Sequence, residues 1–131
     1  MSLLEKKLLI VEDDLFLSSL LKNRFQKEGL VVIVARDGDE AIKTLKAIKP
    51  DLILLDLILP GKSGFEVLQA MQSEPQLRRD PVMVISNLSH EMEIKQAKQL
   101  GAIEYFIKAR TSIDDMVKRV KAFLEPNVPK N

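Results

Sequence analysis

The sequence predicts an α/β domain in which a five-stranded parallel sheet is covered by helices on both faces. Short, wholly apolar runs recur at Leu8–Val11, Leu52–Leu55 and Val82–Ile85, and a run without polar alternation marks a strand buried on both sides. Segments with apolar residues at helical spacing separate these runs. Five strands alternating with five helices require crossovers, and each crossover lays a helix back over the sheet.

Taken in order, Leu8–Val11 is a strand that ends in the acids Glu12-Asp13-Asp14. A helix follows from about Leu15 to Glu28, with Leu17, Leu20, Leu21 and Phe25 at helical spacing, an Asp as cap and Gly29 as stop. Leu30 to Ala35 is valine-rich and reads as a strand. Asp37-Gly38 opens a helix with Ala41, Ile42 and Leu45 on its inner face, closed before Pro50. The strand Leu52–Leu55 ends in Asp56 and a Pro60-Gly61 turn. Gly64 to about Ser73 carries Phe65, Val67, Leu68 and Met71 and is expected to be helical, and Glu74 to Asp80 is expected to be a loop.

Val82 to Ile85 is the fourth strand, ending in Ser86-Asn87. A weaker helix runs from about His90 to Leu100 and stops at Gly101, and Tyr105 to Ile107 reads as a short fifth strand ending in Lys108. Ser112-Ile113-Asp114-Asp115 resembles a capping box, and Ile113, Met116, Val117, Val120, Phe123 and Leu124 mark an amphipathic last helix. The domain is expected over residues 6–124, with 1–5 an extension or vector remnant and 125–131 a tail or the start of a linker.

Composition narrows the function. The 131 residues suit one domain with a real core, and 30% charged with 46% hydrophobic residues is ordinary globular composition. A net charge of +1 gives no support for nucleic-acid or membrane binding driven by overall charge. Cysteine is absent, which excludes disulfides, thiol nucleophiles and Cys-based zinc sites, and a single histidine, His90, argues against a His-rich metal centre. Without a membrane-length apolar run or a signal-peptide core, the expected location is the cytoplasm.

An acid at the tip of a buried strand needs partners, because removing a charge from water is costly unless it is paired or bound. In an open parallel sheet, function gathers at the C-terminal strand ends, which here carry Glu12 and Asp13, Asp56, Ser86 and Lys108. Glu12, Asp13 and Asp56 would crowd negative charge together unless a hard divalent cation sits among them, and few, oxygen-only ligands suit Mg2+. Asp56 could then attack phosphorus as a nucleophile, with the Ser86 hydroxyl and Lys108 ammonium serving the remaining phosphoryl oxygens.

This set, Glu12-Asp13, Asp56, Pro60-Gly61 with Gly64, Ser86 and Lys108 in this order and spacing, resembles the receiver domain of two-component response regulators over about Lys6 to Leu124. The resemblance implies the flavodoxin-like, doubly wound (βα)5 sheet with strand order 2-1-3-4-5. It implies that Asp56 accepts a phosphoryl group from a histidine kinase or phosphotransfer protein, or from a small phosphodonor. Metal ligation would fall to Asp13, Asp56 and the backbone carbonyl of Ile58, with Glu12 acting mainly through metal-bound water. Tyr105 matches the aromatic that turns inward when Ser86 moves toward the phosphoryl group. Output would pass to a protein target through the last two helices and the fifth strand, with a phosphorylation-dependent homodimer allowed and no direct nucleic-acid or membrane contact.

There are three departures from the family pattern. Ala109 follows Lys108 where proline in a cis peptide is usual, and a cis non-proline bond costs about 3–4 kcal/mol, so either that strain is stored or the loop takes another path. Asn87 stands where a small residue is usual and would narrow access or add a hydrogen bond. Ile58 and Leu88 are both apolar beside the expected route of hydrolytic water, which would shield an aspartyl phosphate.

The reading is therefore a regulatory phosphoacceptor rather than an enzyme with an external substrate. About seven residues remain after the last helix, which suits a receiver working alone or a domain excised from a longer chain. Two rivals stand beside it. A phosphatase of the haloacid-dehalogenase type wants an acid two residues after the nucleophile, where this chain has Ile58. A pseudo-receiver that binds without being phosphorylated is opposed by the complete acid, hydroxyl and lysine set.

Overall fold

The structure, a computed structural model, describes residues 3–77 and 80–125. Five parallel strands, β1 (Lys7–Val11), β2 (Val31–Ala35), β3 (Leu52–Leu55), β4 (Val82–Ser86) and β5 (Ala102–Ile107), form one sheet in the order β2-β1-β3-β4-β5. The helices are α1 (Leu15–Lys27), α2 (Gly38–Ala47), α3 (Gly64–Ser73), α4 (Glu91–Gln99) and α5 (Ile113–Leu124). The expected flavodoxin-like topology is present.

Alternation along the strands builds the two faces. Leu8, Ile10, Leu52 and Leu54 point to the side covered by α1 and α5, where Leu21, Phe25, Met116 and Val120 pack. Leu9, Val11, Ile53 and Leu55 point to the opposite side and meet Ala41 and Leu45 of α2, Val67 and Leu68 of α3, and Ala97 of α4. Both faces of β1 and β3 are thus buried, which is why these strands read as continuous apolar runs. Leu3 belongs to the first of these cores and is 6% exposed, so residue 3 at least is part of the folded unit rather than of an extension. Of the expected tail, only Glu125 lies among the described residues.

Asp14 caps α1 by accepting from the Leu17 N–H at 3.1 Å, and Gly29, at φ 97°, takes the left-handed conformation that ends it. The reciprocal capping box belongs to α3: Ser63 Oγ accepts from the Glu66 N–H and Glu66 Oε2 accepts from the Ser63 N–H. At α5, Ser112 accepts from the Asp115 N–H as a simple cap.

The fifth strand is longer than expected. It begins at Ala102 rather than Tyr105, because a register shift opposite Val82 and Met83 lets residues 102–104 join the ladder. The exposed Ile103 and half-buried Glu104 at this sheet edge hide the strand from a search for buried apolar runs. The expected loop over 74–80 contains a 3-10 turn, Pro75–Leu77, which buries Leu77 in the core. Registers pair Val11 with both Ala35 and Leu55, Leu55 with Val84, and Ser86 with Ile107, so the strands finish side by side. The chain leaves β1 for β2 on one side and returns to β3 on the other, and this reversal opens a crevice beyond the strand tips.

Candidate functional site

The ends of β1, β3, β4 and β5 meet at that crevice, an open pocket of about 620 Å³ lined by Glu12, Asp13, Asp56, Ile58, Asn87 and Lys108 among others. Asp56 follows β3 directly and is 4% exposed, while Glu12 after β1 and Ser86 at the end of β4 are fully buried. Asp13 is exposed, at the pocket's rim. The Lys108 ammonium joins them from β5, lying 2.8 Å from Asp56 Oδ2 and 2.6 Å from Glu12 Oε1. Asp56 Oδ1 accepts from the Ile58 N–H at 3.1 Å, and Glu12 Oε2 accepts from the Asp14 N–H at 3.1 Å. The buried acids are thus compensated by one shared cation and by backbone donors.

The electrostatics follow from this arrangement. Burial raises the Glu12 carboxyl above its ordinary range; the Lys108 and Asp14 contacts oppose the rise and the charge of Asp56 adds to it. For Lys108, burial alone would lower the ammonium's pKa, but the hydrogen bonds and charges of Asp56 and Glu12 outweigh it and the net shift is upward.

The acids also fit a hard cation. Glu12, Asp13 and Asp56 each offer a carboxylate oxygen, and the three oxygens lie within 4.8 Å of one another. With no nitrogen or sulfur ligand in the group, the donor set suits a hard cation that prefers oxygen ligands. Ile58 lines the same pocket, and its contact with Asp56 is made through its N–H.

Beside the acids, the β4–α4 loop is bound to β5 at two levels. The Ser86 hydroxyl accepts from the Leu88 N–H at 3.3 Å, and the Tyr105 hydroxyl donates to the Leu88 carbonyl at 2.6 Å. Tyr105 is half-buried and packs against the α2–α4 core; burial raises its phenol pKa, and hydrogen bonding to Ser86 opposes the rise. One turn further, the Ala109 N–H donates to Asn87 Oδ1 at 3.1 Å. No peptide is cis among the described residues, so the loop after Lys108 takes another path than the family's usual cis-proline turn. His90 is exposed and precedes α4 without a side-chain cap bond.

The structure therefore gathers Glu12, Asp13, Asp56, Ile58 and Lys108 in one pocket, with Ser86 and Tyr105 adjoining through the β4–α4 loop. One feature was missed by sequence reasoning. The Leu88 carbonyl is a backbone acceptor with no residue signature. Gly64, already part of the sequence motif, is seated so closely under Asp56 that a Cβ there would stand 2.3 Å from the Asp56 carbonyl oxygen.

Comparison with known proteins agrees with this geometry. The family model "Response regulator receiver domain" matches residues 8–121. The phosphate regulon transcriptional regulatory protein PhoB of Rhizobium meliloti is 35% identical over 123 residues, covering 94% of this chain and 54% of PhoB, so the chain spans about half the length of that curated relative. Among solved structures, the phosphorylated cyanobacterial phytochrome response regulator RcpA is similar with a TM-score of 0.83 and 33% identity, over 95% of this chain and 97% of that one. The Mn(2+)-bound form of response regulator Rcp1 is similar with a TM-score of 0.82 and 31% identity, over 96% and 99%. With the strand order, the acid pocket and a match across nearly its whole length in agreement, this chain belongs to the response regulator receiver domain family.

Proposed function

We propose that the chain is a phosphorylation-dependent switch in which Asp56 takes a phosphoryl group from the phosphohistidine of a histidine kinase or phosphotransfer protein, with Mg2+ as the resident cation. The observation that carries this reading is the placement of Asp56: a buried strand-end carboxylate within ligand-sharing distance of Glu12 and Asp13 and held by Lys108. The bound cation would offset the charge of the carboxylates and of the incoming phosphoryl oxygens. Asp13, Asp56 and the Ile58 carbonyl would hold it, with Glu12 in the shell of water around it.

In the transfer, an Asp56 carboxylate oxygen forms a bond to phosphorus as the bond to the donor's imidazole nitrogen breaks and the imidazole keeps the electron pair. Lys108, already at Asp56 Oδ2, needs only a small reorientation to meet a phosphoryl oxygen. Ser86 accepts from the Leu88 N–H, and its own O–H, which bonds to Tyr105 at rest, turns to a second oxygen. Drawing Ser86 toward the phosphoryl group pulls on the loop to which Tyr105 is bonded, and the change passes to α4, β5 and α5, where a protein target docks or a second copy pairs.

The printed names of the relatives support the assignment, since one structural neighbour is described as phosphorylated and another as binding Mn2+. Among the described residues no helix is long and apolar enough to cross a membrane, and a cytoplasmic setting beside a kinase suits the proposal. The test is incubation with Mg2+ and acetyl phosphate followed by intact mass. A stoichiometric phosphoryl adduct lost in Asp56→Asn is expected. No adduct under any phosphodonor would leave a pseudo-receiver, and turnover of an external phosphoester would point to a phosphatase.

A further inference from the structure

The two groups meant for the phosphoryl oxygens, Ser86 and Lys108, sit on separate strands, and each is followed by a residue that departs from the family pattern. These two followers touch. Asn87 Oδ1 accepts the Ala109 N–H at 3.1 Å, a bond that proline at position 109 could not make because it has no N–H. The segment after β5, Lys108–Arg110, is a single 3-10 turn without a side-chain cap at its start, and beside the Lys108 ammonium on Asp56 and Glu12 the Asn87 bond ties it to the crevice. Asn87 also lines the pocket that holds Lys108.

We infer that Asn87 is a positioning residue for Lys108: its carboxamide clips the turn after β5 to the end of β4 and makes the Ser86 and Lys108 donors one unit. The reasoning is geometric. Between Asn87 and Ala109 the hydrogen bond spans 22 positions of sequence but joins the immediate neighbours of the two donors. A second bond, from Tyr105 of β5 to the Leu88 carbonyl, holds the same loop four residues before Ala109. Two bonds fix both position and angle where one would leave a hinge. When Ser86 shifts toward a phosphoryl group, the clip carries the shift to Lys108 through Ala109. Asn87 and Ala109 thus act as a matched pair that takes over the work of a cis-proline turn. This assignment rests on the phosphoacceptor reading of Asp56.

The experiment measures phosphoryl uptake from acetyl phosphate at saturating Mg2+ for the wild type, Asn87→Ala, Lys108→Met and the double variant, with amide exchange of Ala109 followed by NMR. Loss of this one exposed hydrogen bond should slow uptake by roughly three- to tenfold in Asn87→Ala. The same change should alter the rate less than twofold when Lys108 is already Met. The Ala109 amide should exchange at least threefold faster in Asn87→Ala while the melting temperature stays within a few degrees of wild type.

An equal slowing in both backgrounds would show that Asn87 acts independently of Lys108 and overturn the inference, as would unchanged Ala109 exchange. If the wild type takes no phosphoryl group, the reading of Asp56 fails; the clip is then judged by Ala109 exchange and by whether the Lys108 side chain gains mobility in Asn87→Ala.

Discussion

Replacing Gly64 by alanine should disable the site without touching any of its polar groups. A Cβ at this position would lie 2.3 Å from the Asp56 carbonyl oxygen and 2.6 Å from the Leu57 Cα, where ordinary contact begins near 3.4 Å. Both obstacles are backbone, and the Gly64 N–H is itself bound to the Leu57 carbonyl at 2.9 Å, so no flexible side chain can yield. Either α3 or the segment carrying Asp56 must move by about 1 Å. Overpacking of this kind costs about 1–3 kcal/mol, and a misplacement of about 1 Å can slow a positioned reaction by on the order of a hundredfold. The assay is the initial rate of phosphoryl uptake from acetyl phosphate with Mg2+, read by intact mass, alongside thermal melting. Val67→Ala is the control: Val67 is fully buried on the same helix, and its truncation should cost stability of about the same size while leaving Asp56 in place. Wild-type uptake by Gly64→Ala, or an equal slowing in Val67→Ala, refutes the claim that close packing of Gly64 sets the position of Asp56.

Three further outcomes are expected. Glu12→Gln should raise the melting temperature of the metal-free protein near pH 7, by roughly 3–5 °C for a gain of about 1 kcal/mol. The folded carboxyl is raised by burial, so the wild type loses stability as pH climbs from the ordinary carboxylate range through the folded value; the variant's advantage should vanish on acidification below that range, and a constant advantage at all pH values would contradict it. The same variant should bind Mg2+ more weakly by titration. Ile58, 56% exposed, and half-buried Leu88 should shield an aspartyl phosphate, so the double variant Ile58→Asn with Leu88→Glu should lose its phosphoryl group several-fold faster; an unchanged dephosphorylation rate would remove the shielding idea. Ser63→Ala should break the capping box of α3 and cost about 1 kcal/mol by denaturant melting.

What could be read from the residues and what could not divide along a physical line. Leu8–Val11, Leu52–Leu55 and Val82–Ile85 announced themselves because strands covered on both faces admit no polar residue until they end, and the first polar residue after each run is therefore the one delivered to the crevice. Glu12, Asp56 and Ser86 were found by that logic, and Lys108 by the end of a weaker run. The start of β5 escaped it, since an edge strand half in solvent carries Ile103 and Glu104 and shows no unbroken apolar stretch. The box of α3 escaped because the expected helix was begun at Gly64, which left Ser63 outside it and Glu66 unpaired with its cap.

The connections among the site residues were less accessible still, because most are made by backbone atoms that every residue shares. The Ile58 N–H on Asp56, the Leu88 carbonyl under Tyr105 and the Ala109 N–H on Asn87 are specified by where the chain turns rather than by what stands there. On the backbone side of each bond, residue identity enters only by permission: glycine at 64 lets the backbone of Asp56 approach, and a residue other than proline at 109 supplies a proton for Asn87 to accept. An unusual residue at one strand exit is thus best read together with the residue that packs against it, for Asn87 and Ala109 look like two separate anomalies in sequence and are one hydrogen bond in space.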